Sequence, residues 1–344
     1  MSVAAAVALV DRGLVPDPLV RFGIRRLLAA RLRAERRRLP ADGTARLEAW
    51  RRATAEGPLA LSTDTANRQH YEVPPEFFRL VLGPRLKYSA CLFPPGVEDL
   101  ATAEEEMLAL TAARARLEDG QRVLDLGCGW GSLALWIAER YPRSAVLAVS
   151  NSAPQGEFLR AEAARRGLGN VEHRVADINR LELDGGFDRI VSVEMFEHVR
   201  NYAALFSRLA RWLAPGGKLF VHVFCHRELA YPFEDAGPAD WMARHFFTGG
   251  VMPSADLLPA FAGELALEQR WLLSGLHYWR TAEAWLANLD RERARALEIL
   301  AGVHGEREAP LWLERWRVFF LACAELFAYR DGAEWGVAHY RFGR

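Results

Sequence analysis

The chain predicts an α/β fold, a mostly parallel sheet of seven strands with helices on both faces, and three observations predict it. Short apolar runs alternate with helical patterns through the middle of the chain, and one strand passes through a glycine-rich turn straight into a helix. Two further apolar runs near the end complete the sheet. Taken in order, residues up to about Ala60 carry Ala, Leu and Arg at helical spacing, broken by Pro16, Pro18 and Pro40, which reads as a helical N-terminal extension, 1–62. From Thr63 to Pro95 polar and aromatic residues gather around Pro74, Pro75, Pro94 and Pro95, so this stretch reads as ordered but irregular. With a helix at 103–117 it makes a covering segment, 63–118. The core, 119–226, reads as strand 122–127, helix 130–140, strand 145–150, helix 153–167, strands 171–175 and 188–193, helix 201–213 and strand 217–224. A cap, 227–333, holds an aromatic, glycine-bearing insertion at 240–253, strand 266–274 and helices near 281–300 and 309–328. Strand 335–342, within 334–344, closes the sheet. Such sheets bind ligands at the carboxyl ends of their strands.

With 344 residues, 51% of them hydrophobic and 26% charged, the chain can bury a sizeable core. The formal charge is zero and the pI about 7.1, so the charge balance gives no support to nucleic acid or an acidic polymer as partner. The local exception is 21–38, where arginines crowd between Ile24, Leu27, Leu28 and Leu32. This basic amphipathic helix reads first as a solvated face and second as a contact with an anionic membrane. Cys91, Cys128, Cys225 and Cys323 lack Cys-x-x-Cys spacing, so neither disulfides nor a metal site is expected and a reducing cytoplasm is the natural compartment. Residues 3–10 are apolar but lack a basic leader and stop at Asp11, so neither a signal peptide nor a membrane-spanning helix is expected.

The glycine-rich turn is Val123-Leu124-Asp125-Leu126-Gly127-Cys128-Gly129-Trp130-Gly131. Its Gly-x-Gly-x-Gly spacing differs from the Gly-x-Gly-x-x-Gly of dinucleotide folds, and no acidic residue ends the next strand to grip a ribose, which disfavours NAD. With Asp125 two residues before the first glycine, it looks like the first motif of class I S-adenosylmethionine-dependent methyltransferases. Strand 188–193 opens into Glu194-Met195-Phe196-Glu197-His198 at the same edge of the sheet. If the chain turns helically there, Glu194, Glu197 and His198 share a face. Two carboxylates beside an imidazole suit an amine that must be attracted as a cation and must lose a proton before or during methyl transfer. The plainer alternative gives the carboxylates an arginine partner and makes His198 a helix cap.

Several separated motifs then match one family: His70-Tyr71-Glu72-Val73-Pro74, Leu86-Lys87-Tyr88-Ser89-Ala90-Cys91, the glycine turn, Glu194 to His198, Phe246 to Ser254, Ala324 to Phe327 and Val337 to His339. On these residues the chain resembles the plant coclaurine N-methyltransferase group, itself similar to the cyclopropane fatty acid synthases and mycolic acid methyltransferases. The resemblance implies a class I methyltransferase fold, Rossmann-like, with the helical extension and helical cap already read. It implies S-adenosyl-L-methionine as cofactor, touched by Tyr88 and Ser89 at its carboxylate end, with Asp125 before the turn and Gly127 and Gly129 beneath it. Ser150, Asn151 and Gln155 are implied on the ribose side and Asp177 with Ile178 on the adenine side. Glu197 and His198 resemble the catalytic pair, supported by Glu194, and Tyr71 and Glu72 look like substrate-pocket residues.

The implied reaction is N-methylation of a small amine, aromatic or benzylisoquinoline-like. The runner-up is a lipid-directed methyltransferase or cyclopropane-fatty-acyl-phospholipid synthase, and a non-catalytic cofactor-binding scaffold stands third. A homodimer and a membrane contact through 21–38 stay open. Trp241, Phe246, Phe247, Trp271, Tyr278, Trp316, Phe319 and Phe320 are candidates for an aromatic cavity or plain core. In cyclopropane synthases the tyrosine-serine pair is followed by a cysteine that helps hold a bicarbonate base; here Ala90 stands there, which puts that site in doubt. Cys323 reads as a small buried residue of an apolar helix.

Overall fold

The alternation of apolar runs and helical stretches becomes one sheet in the computed structural model, which describes residues 3–54, 56–61 and 73–344. The core strands are β1 (Arg122–Leu126), β2 (Ala145–Ser150), β3 (Val171–Val175), β4 (Phe187–Val193) and β5 (Leu213–His226). A separate two-stranded ribbon follows, β6 (Tyr231–Pro232) with β7 (Val251–Met252), and then β8 (Ala266–Ser274) and β9 (Trp335–Gly343). The sheet order is β3-β2-β1-β4-β5-β9-β8, and only β9 runs against its neighbours. β1 is buried along its last four residues, as a parallel strand covered on both faces must be.

The helices are α1 (Val3–Asp11), α2 (Asp17–Arg38), α3 (Gly43–Thr54), α4 (Pro75–Val81), α5 (Leu100–Ala115), α6 (Ser132–Arg140), α7 (Ala153–Arg165) and α8 (Tyr202–Trp212). The cap adds α9 (Trp241–His245), α10 (Gly275–Arg291), α11 (Arg293–His304) and α12 (Ala309–Gly332). On one face of the sheet Leu108 of α5, Leu133 and Ile137 of α6 and Leu159 of α7 pack on Val123 and Phe220. On the other, Leu205, Phe206 and Leu209 of α8 pack on Ile190, Leu219 and Tyr340. A third core joins Val20 and Leu32 of α2, Phe77 of α4, Trp285 of α10 and Trp316 of α12, so the N-terminal extension and the cap share one interior.

Four readings change. The stretch read as irregular contains α4, whose Pro75 sits in the first turn, where a missing N–H costs nothing, and whose Phe77, Phe78 and Val81 are buried. The helix read at 281–300 is two helices meeting at Glu292. β5 starts at Leu213, which pairs with Phe187 across an irregularity in the ladder. The arginine helix is neither a plainly solvated face nor free for another surface along its whole length. Arg21 reaches Glu283 at 2.5 Å and Glu325 at 3.0 Å, Arg25 also pairs with Glu325, and Arg36 reaches Glu334 at 2.6 Å. Among the described residues no helix is long and apolar enough to cross a membrane.

Candidate active site

At the carboxyl edge of the sheet β1 ends and the chain turns through Gly127 at φ 86° and Gly129 at φ 52°, left-handed conformations open to glycine at little cost. The N–H groups of Gly127 and Cys128 both donate to the Val149 carbonyl, at 2.9 and 3.0 Å, which pins the turn to β2. A Cβ on Gly127 would lie 2.6 Å from Met195, whereas one on Gly129 would meet nothing within 4 Å among the described residues. Gly129 therefore faces open space, and that space is a crevice of two lobes, about 760 and 610 Å³. Gly127, Gly129, Gln155 and Glu194 border both lobes.

The first lobe is also walled by Ser150, Asn151, Ile178 and His198, the second by Tyr88, Ser89 and Asp125. Two of these residues carry buried polar atoms with no partner among the described residues, Asp125 Oδ2 and Gln155 Nε2. Burial pushes the Asp125 carboxyl up to about 7 against a hydrogen bond from the Ala134 N–H. Unsatisfied buried polar atoms facing a cavity fit a polar ligand that would satisfy them. Asp177 departs from expectation. It lines neither lobe, and its Oδ1 accepts from the Asn179 backbone at 2.8 Å and side chain at 3.0 Å, so it shapes its own turn and leaves Ile178 on the wall.

The acid side is built differently from the helical turn expected. Glu194 is left-handed at φ 49°, and only Phe196–His198 form a single 3₁₀ turn. The left-handed residue brings the Glu194 carboxylate under donors from three distant segments. Oε1 accepts the Ala90 N–H at 2.9 Å and lies 3.2 Å from His222 Nε2, while Oε2 accepts the Tyr278 hydroxyl at 2.6 Å. Burial pushes Glu194 up, opposed by Lys87 and by these donors. The Ala90 N–H thus serves a carboxylate of the chain itself.

Glu197 is fully buried and lines neither lobe. Its Oε1 accepts the Phe224 N–H at 2.8 Å, and its Oε2 has no partner among the described residues. Burial and the neighbouring Glu194 push Glu197 well above the usual carboxylate range. His198 is half-buried on the wall beside the Phe247 ring at 4.8 Å, and burial pulls it down to about 4, so it is neutral at physiological pH. Neither carboxylate has an arginine partner among the described residues.

Tyr71 and Glu72 lie outside the described residues. Of the candidate aromatics, Tyr278 reaches the site and Phe247 flanks it, while Phe246, Trp316, Phe319 and Phe320 stack in the cap core. Trp271 is displaced from the site. It sits on β8 between the guanidinium groups of Arg114 and Arg341. Cys323 is half-buried on α12, its thiol pushed up by burial.

Sequence reasoning missed three parts of the wall. Buried Lys87 donates to Ser89 Oγ at 2.5 Å and to the Ala90 carbonyl at 2.7 Å. His222 stands on β5 opposite Val193 of β4. Ala60 and Leu61 border the first lobe, held there by a β-bridge from Ala60 to Val199 and by hydrogen bonds between Ala60 and Asn179.

Residues 61–333 match the mycolic acid cyclopropane synthetase family. The chain belongs to that family. Within it, the chain is 37% identical over 336 residues to an (S)-coclaurine N-methyltransferase of Thalictrum flavum subsp. glaucum, covering 96% of this chain and 93% of that protein. It is 32% identical over 277 residues to the cyclopropane-fatty-acyl-phospholipid synthase of Escherichia coli strain K12, covering 80% and 67%. A crystal structure of a coclaurine N-methyltransferase bound to N-methylheliamine and S-adenosylhomocysteine superposes with a TM-score of 0.94 at 35% identity over 99% of both chains. The fold of this family member is the class I S-adenosylmethionine-dependent methyltransferase fold.

Proposed function

We propose that the chain transfers a methyl group from S-adenosylmethionine to the nitrogen of a small amine, aromatic or benzylisoquinoline-like. The observation that carries this reading is Glu194, a buried carboxylate on the border between two lobes, one of which is walled by His198. Similarity to plant enzymes named for coclaurine supports it. Tyr88, Ser89, Gly127, Gly129, Asn151, Gln155 and Ile178 would hold the cofactor, and the orphaned Asp125 Oδ2 and Gln155 Nε2 offer it hydrogen-bond partners. When bound, S-adenosylmethionine supplies an electrophilic methyl group on a sulfonium.

The protein's part is alignment, exclusion of water and handling of one proton. Glu194 draws the ammonium form of the amine into an apolar crevice and fixes its direction. Oε2 of Glu197 is a buried polar atom with no partner among the described residues, an arrangement that costs stability unless a partner arrives. As the nitrogen gives up its proton, neutral His198 on the crevice wall is the group placed to take it, and Glu197, buried behind the wall, orients the site. Tyr71 and Glu72 complete the amine pocket in this reading.

The test is transfer of radiolabelled methyl to a panel of benzylisoquinoline-type amines, with phospholipid vesicles as a parallel acceptor. Labelled amine is the expected product, and label confined to phospholipid overturns the reading. His198→Ala should lower turnover about 10²- to 10⁴-fold while S-adenosylhomocysteine affinity stays within about twofold. Undiminished turnover removes His198 from the mechanism.

A further inference from the structure

Behind Glu194 a line of hydrogen bonds crosses the sheet sideways. His222 Nε2 lies 3.2 Å from Glu194 Oε1, His222 Nδ1 lies 2.9 Å from His339 Nε2, and His339 Nδ1 lies 2.7 Å from a guanidinium nitrogen of Arg114. The two histidines are a cross-strand pair of β5 and β9, both fully buried, and Arg114 sits half-buried on the last turn of α5. None of the three was needed by the reaction described above.

We propose that Arg114 is a positioning residue for the amine site, fixing through His339 and His222 the direction in which a proton points at Glu194. A guanidinium only donates, so His339 Nδ1 must accept and His339 carries its proton on Nε2. That proton goes to His222 Nδ1, which leaves His222 with its own proton on Nε2, aimed at Glu194. Each ring has one allowed tautomer, and every ring nitrogen is satisfied. A buried polar chain is stable only under that condition.

The tautomer decides the charge of the carboxylate. With Nε2–H facing it, Glu194 receives three donors, from His222, the Ala90 N–H and the Tyr278 hydroxyl, and needs no proton of its own. In the opposite tautomer a lone pair would face Oε1, and that contact would hold only if the carboxyl were protonated, which removes its attraction for an ammonium. Among the described residues, the other charged and titratable groups around Glu194 include Lys87, Tyr278, Glu197, His198 and the thiols of Cys91 and Cys323. Lys87 favours the anion and Glu197 opposes it, so the donor from His222 tips a balance that burial alone would settle against charge. Both histidines are held far below their ordinary range by burial, with Arg114 among the further causes, so each is a neutral ring with one proton to place. Arg114 itself, lowered by burial to about 10, keeps its charge at neutral pH.

The kinetic consequence rests on the N-methyl-transfer reading, but the tautomers do not, which makes the two separable. Long-range ¹H–¹⁵N correlation spectra of the ¹⁵N-histidine-labelled full chain, assigned with His222→Gln and His339→Gln, should show both rings protonated at Nε2 and bare at Nδ1. Arg114→Met should mix or invert these tautomers and raise KM for the amine about tenfold or more, with S-adenosylhomocysteine affinity within about twofold. Arg114→Lys, which still donates, should restore both. Wild-type His222 protonated at Nδ1 overturns the proposal even if the methionine variant fails to fold, and so do unchanged tautomers and unchanged KM in a folded Arg114→Met protein. Correct tautomers in a chain that methylates no amine would uphold the relay and overturn the proposed reaction.

Discussion

The glycine wall and the acid wall of the crevice stand at the same edge of one sheet, yet they are made in opposite ways. The glycine wall is local, since residues 125–131 form it and β2 pins it through one carbonyl. Polar atoms on and beside it, Asp125 Oδ2 and Gln155 Nε2, have no partner among the described residues. The acid wall is assembled from residues far apart in the chain, Ala90, Glu194, His222 and Tyr278, and the carboxylate at its centre is engaged on both oxygens before any ligand arrives. A wall that must recognise a whole cofactor keeps partners in reserve for it. A wall that must present a charge in an apolar place fixes that charge in advance, because a preorganised site has no reorganisation to do during the reaction.

The two carboxylates of the acid wall offer the sharpest break. Glu197→Gln keeps the Phe224 N–H bond through its amide oxygen, so the fold should hold with a Tm close to wild type. Turnover should fall about 10²- to 10⁴-fold, the usual worth of a positioned acid or base. Glu194→Gln is different, because an amide NH₂ would face one of the donors that the carboxylate now accepts. It should lose activity and about 1–3 kcal/mol of stability together, read by urea denaturation. Equal stability losses in the two variants would erase the distinction drawn between the carboxylates.

The same contrast explains what the sequence could show. The glycine turn, the strands around it and the mostly parallel sheet follow from local patterns, apolar periodicity and chain-reversing glycines. Glu194, Glu197 and His198 were visible because they are adjacent to a strand end. Their geometry was not, since the left-handed backbone at Glu194 is held by contacts with residues more than 80 positions away, such as Tyr278, and no local preference demands it. Asp177 was implied as an adenine-side contact by the family resemblance, whereas in the structure its Oδ1 accepts hydrogen bonds from Asn179, itself tied to Ala60. Trp271 was grouped with cavity aromatics by residue type, although the exposed edge strand β8 gives it arginines for neighbours.

A smaller effect tests the open wall. A Cβ at Gly129 meets no atom of the described residues within 4 Å, so Gly129→Leu should fold with the strain of a positive φ, about 1–2 kcal/mol, while its side chain projects into the crevice. S-adenosylhomocysteine affinity measured by calorimetry should drop about 100-fold or more, with Glu194 and its donors undisturbed. Unchanged affinity would mean that the space in front of Gly129 is not where the cofactor lies.

The last test asks whether the reserve on the glycine wall has a stability cost without ligand. The Asp125 carboxyl is pushed up to about 7 by burial from its ordinary value of 3.8, so the folded protein keeps a proton that the unfolded chain has already lost over that range. Stability contributed by this group is therefore full below about pH 4, falls as pH rises toward 7, and stays low above it. At about 1.4 kcal/mol per pH unit, the loss is on the order of 4 kcal/mol. Asp125→Asn has no proton to lose and still accepts from the Ala134 N–H, so it should match wild type near pH 4 and exceed it at pH 8 in ligand-free unfolding curves. A donor on the cofactor that reaches Oδ2 would hold the carboxylate charged, so S-adenosylhomocysteine should bind wild type more tightly at pH 8 than at pH 6 and lose that dependence in Asp125→Asn. Parallel stability curves for the two proteins across this range would show that Asp125 is already satisfied, and that the two walls differ less than their hydrogen bonds indicate.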